Sequence, residues 1–176
     1  MDIFKKNFLV VLVFTQLVVL SSCSDDDANG ENGNGNGGEM MEEVPENVWQ
    51  GDRITFSKAE DSDWTLEQNQ DRITDNVWIT RADTKGLFNI KSETSYSKET
   101  SPVDTEWAYG TTDEISSLTF KVWKDAIDNP LQAINKDMVV HLITDDIYID
   151  IKLITWSIGR EGEEGAFSYE RSTPNK

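Results

Sequence analysis

From residue 44 onward the chain alternates apolar and polar positions with a period of two, in short runs separated by Asp, Asn and Gly. The runs 53–57, 76–80, 87–90, 106–109, 118–123, 138–144, 147–156 and 166–169 are rich in β-branched and aromatic residues, which suit a pleated, half-buried surface. They predict eight short strands and an all-β fold, an antiparallel β-sandwich or jelly-roll-like arrangement. The best helical stretch, 124–133, is interrupted by Asn129-Pro130. Proline lacks the amide donor and clashes with the preceding turn, so at most one or two short helical turns are expected there.

The clearest strand is 147–156. Strict alternation points Ile147, Ile149, Ile151 and Leu153 to one face, the core, and Tyr148, Asp150, Lys152, Ile154 and Trp156 to the other. The apolar run 138–143 precedes it, and Thr144-Asp145-Asp146 between them has the composition of a tight hairpin connection. The segment 159–165 follows, with three glycines around Arg160, Glu161, Glu163 and Glu164, and predicts a mobile loop before the last strand.

The N-terminus has a different pattern. Lys5 and Lys6 precede an apolar run, 8–20, broken only by Thr15 and Gln16, and Ser21 and Ser22 follow. Thirteen residues are too few for the ~20 that cross a bilayer, so 1–22 is expected to be a signal peptide and not a membrane span. Leu20-Ser21-Ser22-Cys23 resembles the lipobox of bacterial lipoproteins. That resemblance implies acyl chains, palmitate among them, on Cys23 and anchorage in the outer membrane; several chains make a durable anchor where one is marginal. The next residues, Ser24-Asp25-Asp26-Asp27, resemble the acidic tetrapeptides of surface-exported lipoproteins of Bacteroidota-type bacteria, which implies a position at the cell surface. The same aspartates also suit the solvated head of a linker. Residues 28–38 hold five glycines and nothing apolar larger than Ala, so they cannot offset their own ordering entropy. Residues 23–43 are expected to form an acidic, Gly/Asn-rich tether with a reach of roughly 25 Å.

Composition shifts at Val44-Pro45, after which all six tryptophans appear. The 176 residues therefore suit one folded domain, 44–176, behind a signal and a tether. The formal charge of −17 becomes −18 once 1–22 are removed, and the domain carries 25 acidic against 14 basic residues, or −11. So acidic a chain is a poor partner for nucleic acid. One cysteine and one histidine exclude a disulfide framework, a multi-cysteine zinc site and an iron–sulfur cluster. The segments 69–81, 139–150 and 167–174 are similar to segments of secreted and surface proteins of bacteria; the resemblance implies a self-contained extracellular module and brings no functional residues with it.

Candidate chemistry is sparse. Asp61 with Asp63, Asp113 with Glu114, Asp145 with Asp146, and Glu163 with Glu164 are carboxylate pairs such as glycan hydrolases use, but acids this numerous pair by chance. No nucleophile elbow or phosphate-cradling Gly loop accompanies them, and His141 lies between Val140 and Leu142 as a structural side chain would. No cofactor is expected. The one ion with suitable ligands is calcium, at Asp71, Asp75 and Asn76 or at Asp145 and Asp146, although EF-hand spacing is absent and solvated turns explain the same residues. Carbohydrate binding is the sharper expectation, because sugars offer apolar C–H faces to aromatic rings and hydroxyls to polar side chains. Trp64, Trp107, Tyr148, Asp150, Lys152 and Trp156 are the candidates, with Trp64 and Trp107 expected to be exposed and Trp78 and Trp123 expected in the core. The sequence thus predicts a lipid-anchored, cell-surface, non-enzymatic module that binds an extracellular polysaccharide. The alternatives are a structural or assembly subunit of an envelope protein complex and a carboxylate-based glycan hydrolase.

Overall fold

A computed structural model describes residues 47–159 and 164–176. The signal peptide, Cys23, the acidic tether and loop residues 160–163 lie outside the described residues. The larger sheet runs β2 (Ile54–Lys58), β9 (Phe167–Arg171), β8 (Ile147–Trp156), β7 (Asp137–Leu142) and β6 (Thr105–Tyr109), with every neighbour antiparallel. β1 (Val48–Trp49) pairs in parallel with Tyr148 and Ile149 of β8, in line with β9, which takes the same edge of β8 from Ile151 onward. The smaller sheet is β3 (Asp71–Arg72), β4 (Trp78–Arg81) and β5 (Leu87–Asn89), also antiparallel. Ile79 and Leu87 of the smaller sheet join Trp107, Val140, Leu142, Ile149, Ile151 and Leu153 of the larger in one apolar core. The fold is an all-β sandwich.

Seven of the eight predicted runs are strands, shifted by a residue or two. The eighth, 118–123, is not. A 3-10 segment, Thr112–Ser117, leads into extended chain whose backbone pairs with the sheet at a single bridge, where Lys121 exchanges two hydrogen bonds with Trp107. The ladder goes no further because Trp123 opens α1 (Trp123–Ile127) and is buried with Ile127 against the core. Asn129-Pro130 divides the helical stretch as expected. Pro130 stands in the first turn of α2 (Pro130–Ala133), where its missing N–H would have no helical partner, and the Asn129 side chain accepts from the Leu131 amide. β1 and β3 have two residues each, too few for alternation to be visible.

Both sheets are covered on their second faces as well. The Thr112 amide and hydroxyl donate to Asp150, at 2.8 and 3.1 Å, and Phe120 packs edge-on against His141 and Tyr148. β7 is therefore buried on both sides, Val139 outward and Val140 inward. On the smaller sheet, Trp64 sets its ring edge-on to Phe88, and the Thr80 hydroxyl donates to the Asn69 carbonyl. A buried ion pair ties the sheets together: Asp71 of β3 accepts from Nε and Nη2 of Arg171 on β9 at 2.7 and 2.8 Å, and from the Tyr169 hydroxyl at 2.7 Å. Burial, then the charge and hydrogen bond of Asp71, hold the Tyr169 hydroxyl far above its ordinary pKa.

Candidate functional site

β8 and β9 pair in register up to Leu153 opposite Tyr169 and resume at Thr155 opposite Ser168, so Ile154 is an extra residue. A single inserted residue reverses the facing of everything after it. Thr155 now takes the outer face, where its hydroxyl and that of Ser168 lie 2.7 Å apart, and Trp156 turns inward. Its ring centroid sits 6.1 Å from Trp123 and 6.3 Å from Phe167. The predicted outward row therefore ends before Trp156. The bulge, invisible in a strictly alternating run, corrects its side.

At this end of the sandwich the turn 82–86 between β4 and β5, helix α1 and the end of β8 enclose a groove of about 270 Å³. Trp156, Trp123 and Tyr96 form its aromatic wall, and Ile158, half exposed, extends it. Tyr96 packs against Gly86, where a Cβ would stand 2.5 Å from the ring, so glycine permits that approach. Burial, the largest cause, pushes the Tyr96 hydroxyl above its ordinary pKa. Lys85, Lys124 and Asp128 supply the polar rim. Lys124 donates to Asp128 at 2.7 Å across one turn, and this hydrogen bond raises the lysine pKa and lowers that of the carboxyl.

Arg81 completes the wall with only 1% of its surface exposed. Its Nε donates to the Lys85 carbonyl at 2.7 Å, Nη1 to the Ala166 carbonyl at 2.7 Å and the Ser157 hydroxyl at 2.9 Å, and Nη2 to the Ser157 carbonyl at 3.0 Å. The guanidinium carbon stands 3.8 Å above the Trp156 ring centroid. All of these acceptors are neutral, and among the described residues no carboxylate pairs with it. Burial accordingly pulls its pKa down to about 10. The chain matches no protein-family model, no curated protein and no solved structure.

Of the other predicted ligand-binding residues, none joins the groove. Trp107 was expected to be exposed but is 1% exposed. Because Glu106 points outward to His141, its neighbour must point inward, where it meets Trp123 edge-on at 4.7 Å and donates from Nε1 to the Thr105 hydroxyl. Trp64 is half-buried on Phe88 and not a free ring. Tyr148 stacks on His141 at 4.1 Å with the planes 5° apart. Asp150 holds Thr112, and Lys152 donates to Asp137 at 2.8 Å. The outward face of β8 therefore attaches covering chain and neighbouring strands, and is not an open platform.

The predicted calcium ligands are divided in a similar way. Asp71 is corrected to a buried partner of Arg171, with both oxygens accepting hydrogen bonds. Asp145 does meet Asn76, but through the amide donor, at 2.7 Å, and its other oxygen accepts from the Thr74 hydroxyl at 2.6 Å. Asp146 accepts from Asn47 and faces Nε2 of His141 at 3.1 Å, while Asp75 is exposed. Among the described residues no three His, Cys, Asp or Glu side chains are placed to hold a metal ion. A larger depression, about 570 Å³, opens beside Asn76, Lys91, Asp104, Ile143 and Thr144, and no aromatic ring lines it.

Arg81, Lys85, Tyr96, Lys124 and Asp128 carry no local signal in the sequence. They come from three separate segments, and the bulge at Ile154 turns Trp156 toward them.

Proposed function

We propose that this chain is a lipid-anchored, cell-surface module that binds a polysaccharide at the groove of Trp156 and Tyr96 and performs no chemistry on it. The observation that carries the proposal is the composition of the groove, an aromatic wall beside a rim of Lys85, Lys124 and Asp128 in about 270 Å³. Flat rings accept the C–H face of a sugar, and directed donors and acceptors at the edge take its hydroxyls. The volume suits a short stretch of a longer chain passing through an open groove. Lipid on Cys23 and the acidic tether would hold that groove away from the membrane surface.

Two experiments test this. Cys23→Ala should move the protein from the membrane to the soluble fraction, and unchanged membrane association would refute the anchor. Full-length protein screened on a glycan array should bind polysaccharide, and Tyr96→Ala should weaken that binding about tenfold, equivalent to ~1.4 kcal/mol. Silence across the array would refute glycan binding and favour a protein partner in the envelope.

A further inference from the structure

We infer that the groove selects an acidic glycan, one whose sugars carry carboxylate or sulfate, and that Arg81 and Lys85 read that charge. The inference rests on the polysaccharide reading above and names the class of ligand.

Arg81 is the unusual group. A buried cation normally has an anion beside it, since an uncompensated charge in the interior is expensive and a neutral side chain would avoid the cost. Here the guanidinium is stacked on Trp156 and surrounded by carbonyl and hydroxyl oxygens, and among the described residues no carboxylate offsets it. Its location matters as much as its charge, because it forms the wall of the groove. Its Nε bond to the Lys85 carbonyl also fixes the turn that presents the Lys85 ammonium, exposed, at the groove mouth.

Among the described residues the acids near the groove have other groups beside them: Asp128, on the rim, is bonded to Lys124, Asp83 acts on the buried Lys58, Asp125 acts on Lys124 and Glu99 on Tyr96. Lys124 thus has its own counter-ion, whereas Arg81 and Lys85 have none among the described residues. The domain around them is acidic, at −11, so its net charge repels anions. Local positive charge on such a surface gives selectivity by sign. The two groups act differently: the Arg81 nitrogens already donate to the protein, so Arg81 attracts across the low-dielectric ring of Trp156, while Lys85 has free donors for direct contact. A neutral sugar would use the aromatic wall and leave both charges unanswered.

The test is binding of detergent-solubilised full chain to two matched pairs: polygalacturonate against its fully methyl-esterified form, and dextran sulfate against dextran. At least one anionic member should bind about tenfold or more tightly than its neutral partner, and raising NaCl from about 0.05 to about 0.5 M should weaken it about tenfold. Lys85→Gln should reduce anionic binding about fivefold with an unchanged thermal melt, since its side chain is exposed. The two pairs distinguish carboxylate from sulfate as the anion. Equal binding of charged and neutral members, or binding indifferent to salt and to Lys85→Gln, would overturn the inference and leave a neutral-glycan module standing. Failure of all four probes, together with silence on the array, would overturn both readings.

Discussion

Replacing Asp71 by asparagine tests what holds the two sheets together. Asp71 and Arg171 each expose only 7% of their side chains, and the carboxylate accepts three hydrogen bonds at 2.7 to 2.8 Å. The amide has nearly the same shape but no charge, and it offers donors where the guanidinium needs acceptors. Breaking one side of a buried ion pair costs ~3–5 kcal/mol, because the remaining charge stays buried without a partner. A domain's whole stability is about 5–15 kcal/mol, so the variant should stand near the edge of folding. At roughly 3–5 °C per kcal/mol for a domain of this size, Tm should fall by roughly 10–20 °C. Urea unfolding followed by the fluorescence of core tryptophans measures this directly. Substituting all three members, as Asp71→Leu, Arg171→Met and Tyr169→Phe, should recover stability to within about 2 kcal/mol, since apolar groups of similar volume often replace buried ions without loss. A loss below about 1 kcal/mol for Asp71→Asn, or a triple variant no better than the single one, would show that the pair is not the tie between the sheets.

Two further outcomes follow from the same geometry. Deleting Ile154 should close the bulge without changing a pair, leaving Thr155 opposite Ser168 and Trp156 still inward opposite Phe167, so tryptophan emission should stay unchanged; a red-shifted emission from an outward Trp156 would refute Ile154 as the extra residue. Lys58 is buried at 3% exposure, with its ammonium 3.4 Å from two carbonyls; burial first, and the nearby Arg81 second, lower its pKa from 10.5, against the pull of Asp83, Asp61 and Asp63. Between that lowered value and 10.5 the unfolded chain holds a proton that the folded state has released, so this group's contribution to stability rises with pH across the window. Lys58→Met should therefore stabilise the fold by ~0.5–2 kcal/mol at pH 7, by a margin that shrinks toward pH 10.5. Melts showing no gain at neutral pH would refute the cost assigned to this charge.

Much of the architecture was legible in the chain. Ile149, Ile151 and Leu153 do face the core, 147–156 is one strand, the hairpin turns at Thr144-Asp145-Asp146, and Asn129-Pro130 splits the helical stretch. Where a partner intervenes, the same reasoning stops. The run 118–123 alternates like a strand but gives up its ladder when Trp123 is buried in a helix. Trp64 lies among polar residues in sequence and Trp107 follows Glu106, yet Trp107 is buried and Trp64 half-buried, because the facing of a residue depends on the register of its own strand and on what packs over it. Asp71 looks like any acidic turn residue until Arg171, a hundred positions away, is placed beside it.

The sequence by itself determined the local structure: the period-two alternation that makes these segments strands, the face most of them bury, and the proline that breaks the helix. These follow from pleat geometry and backbone sterics, which act within a few residues. Only the tertiary structure decided which groups meet. An extra residue at Ile154 exists only relative to β9, and the buried charge of Arg81 becomes unusual only once its surroundings prove to be carbonyls and an indole ring. The groove has no local signature because it is built from contacts between segments far apart in the chain, and pairing between strands, not the order of residues within one, places Trp156 beside Arg81.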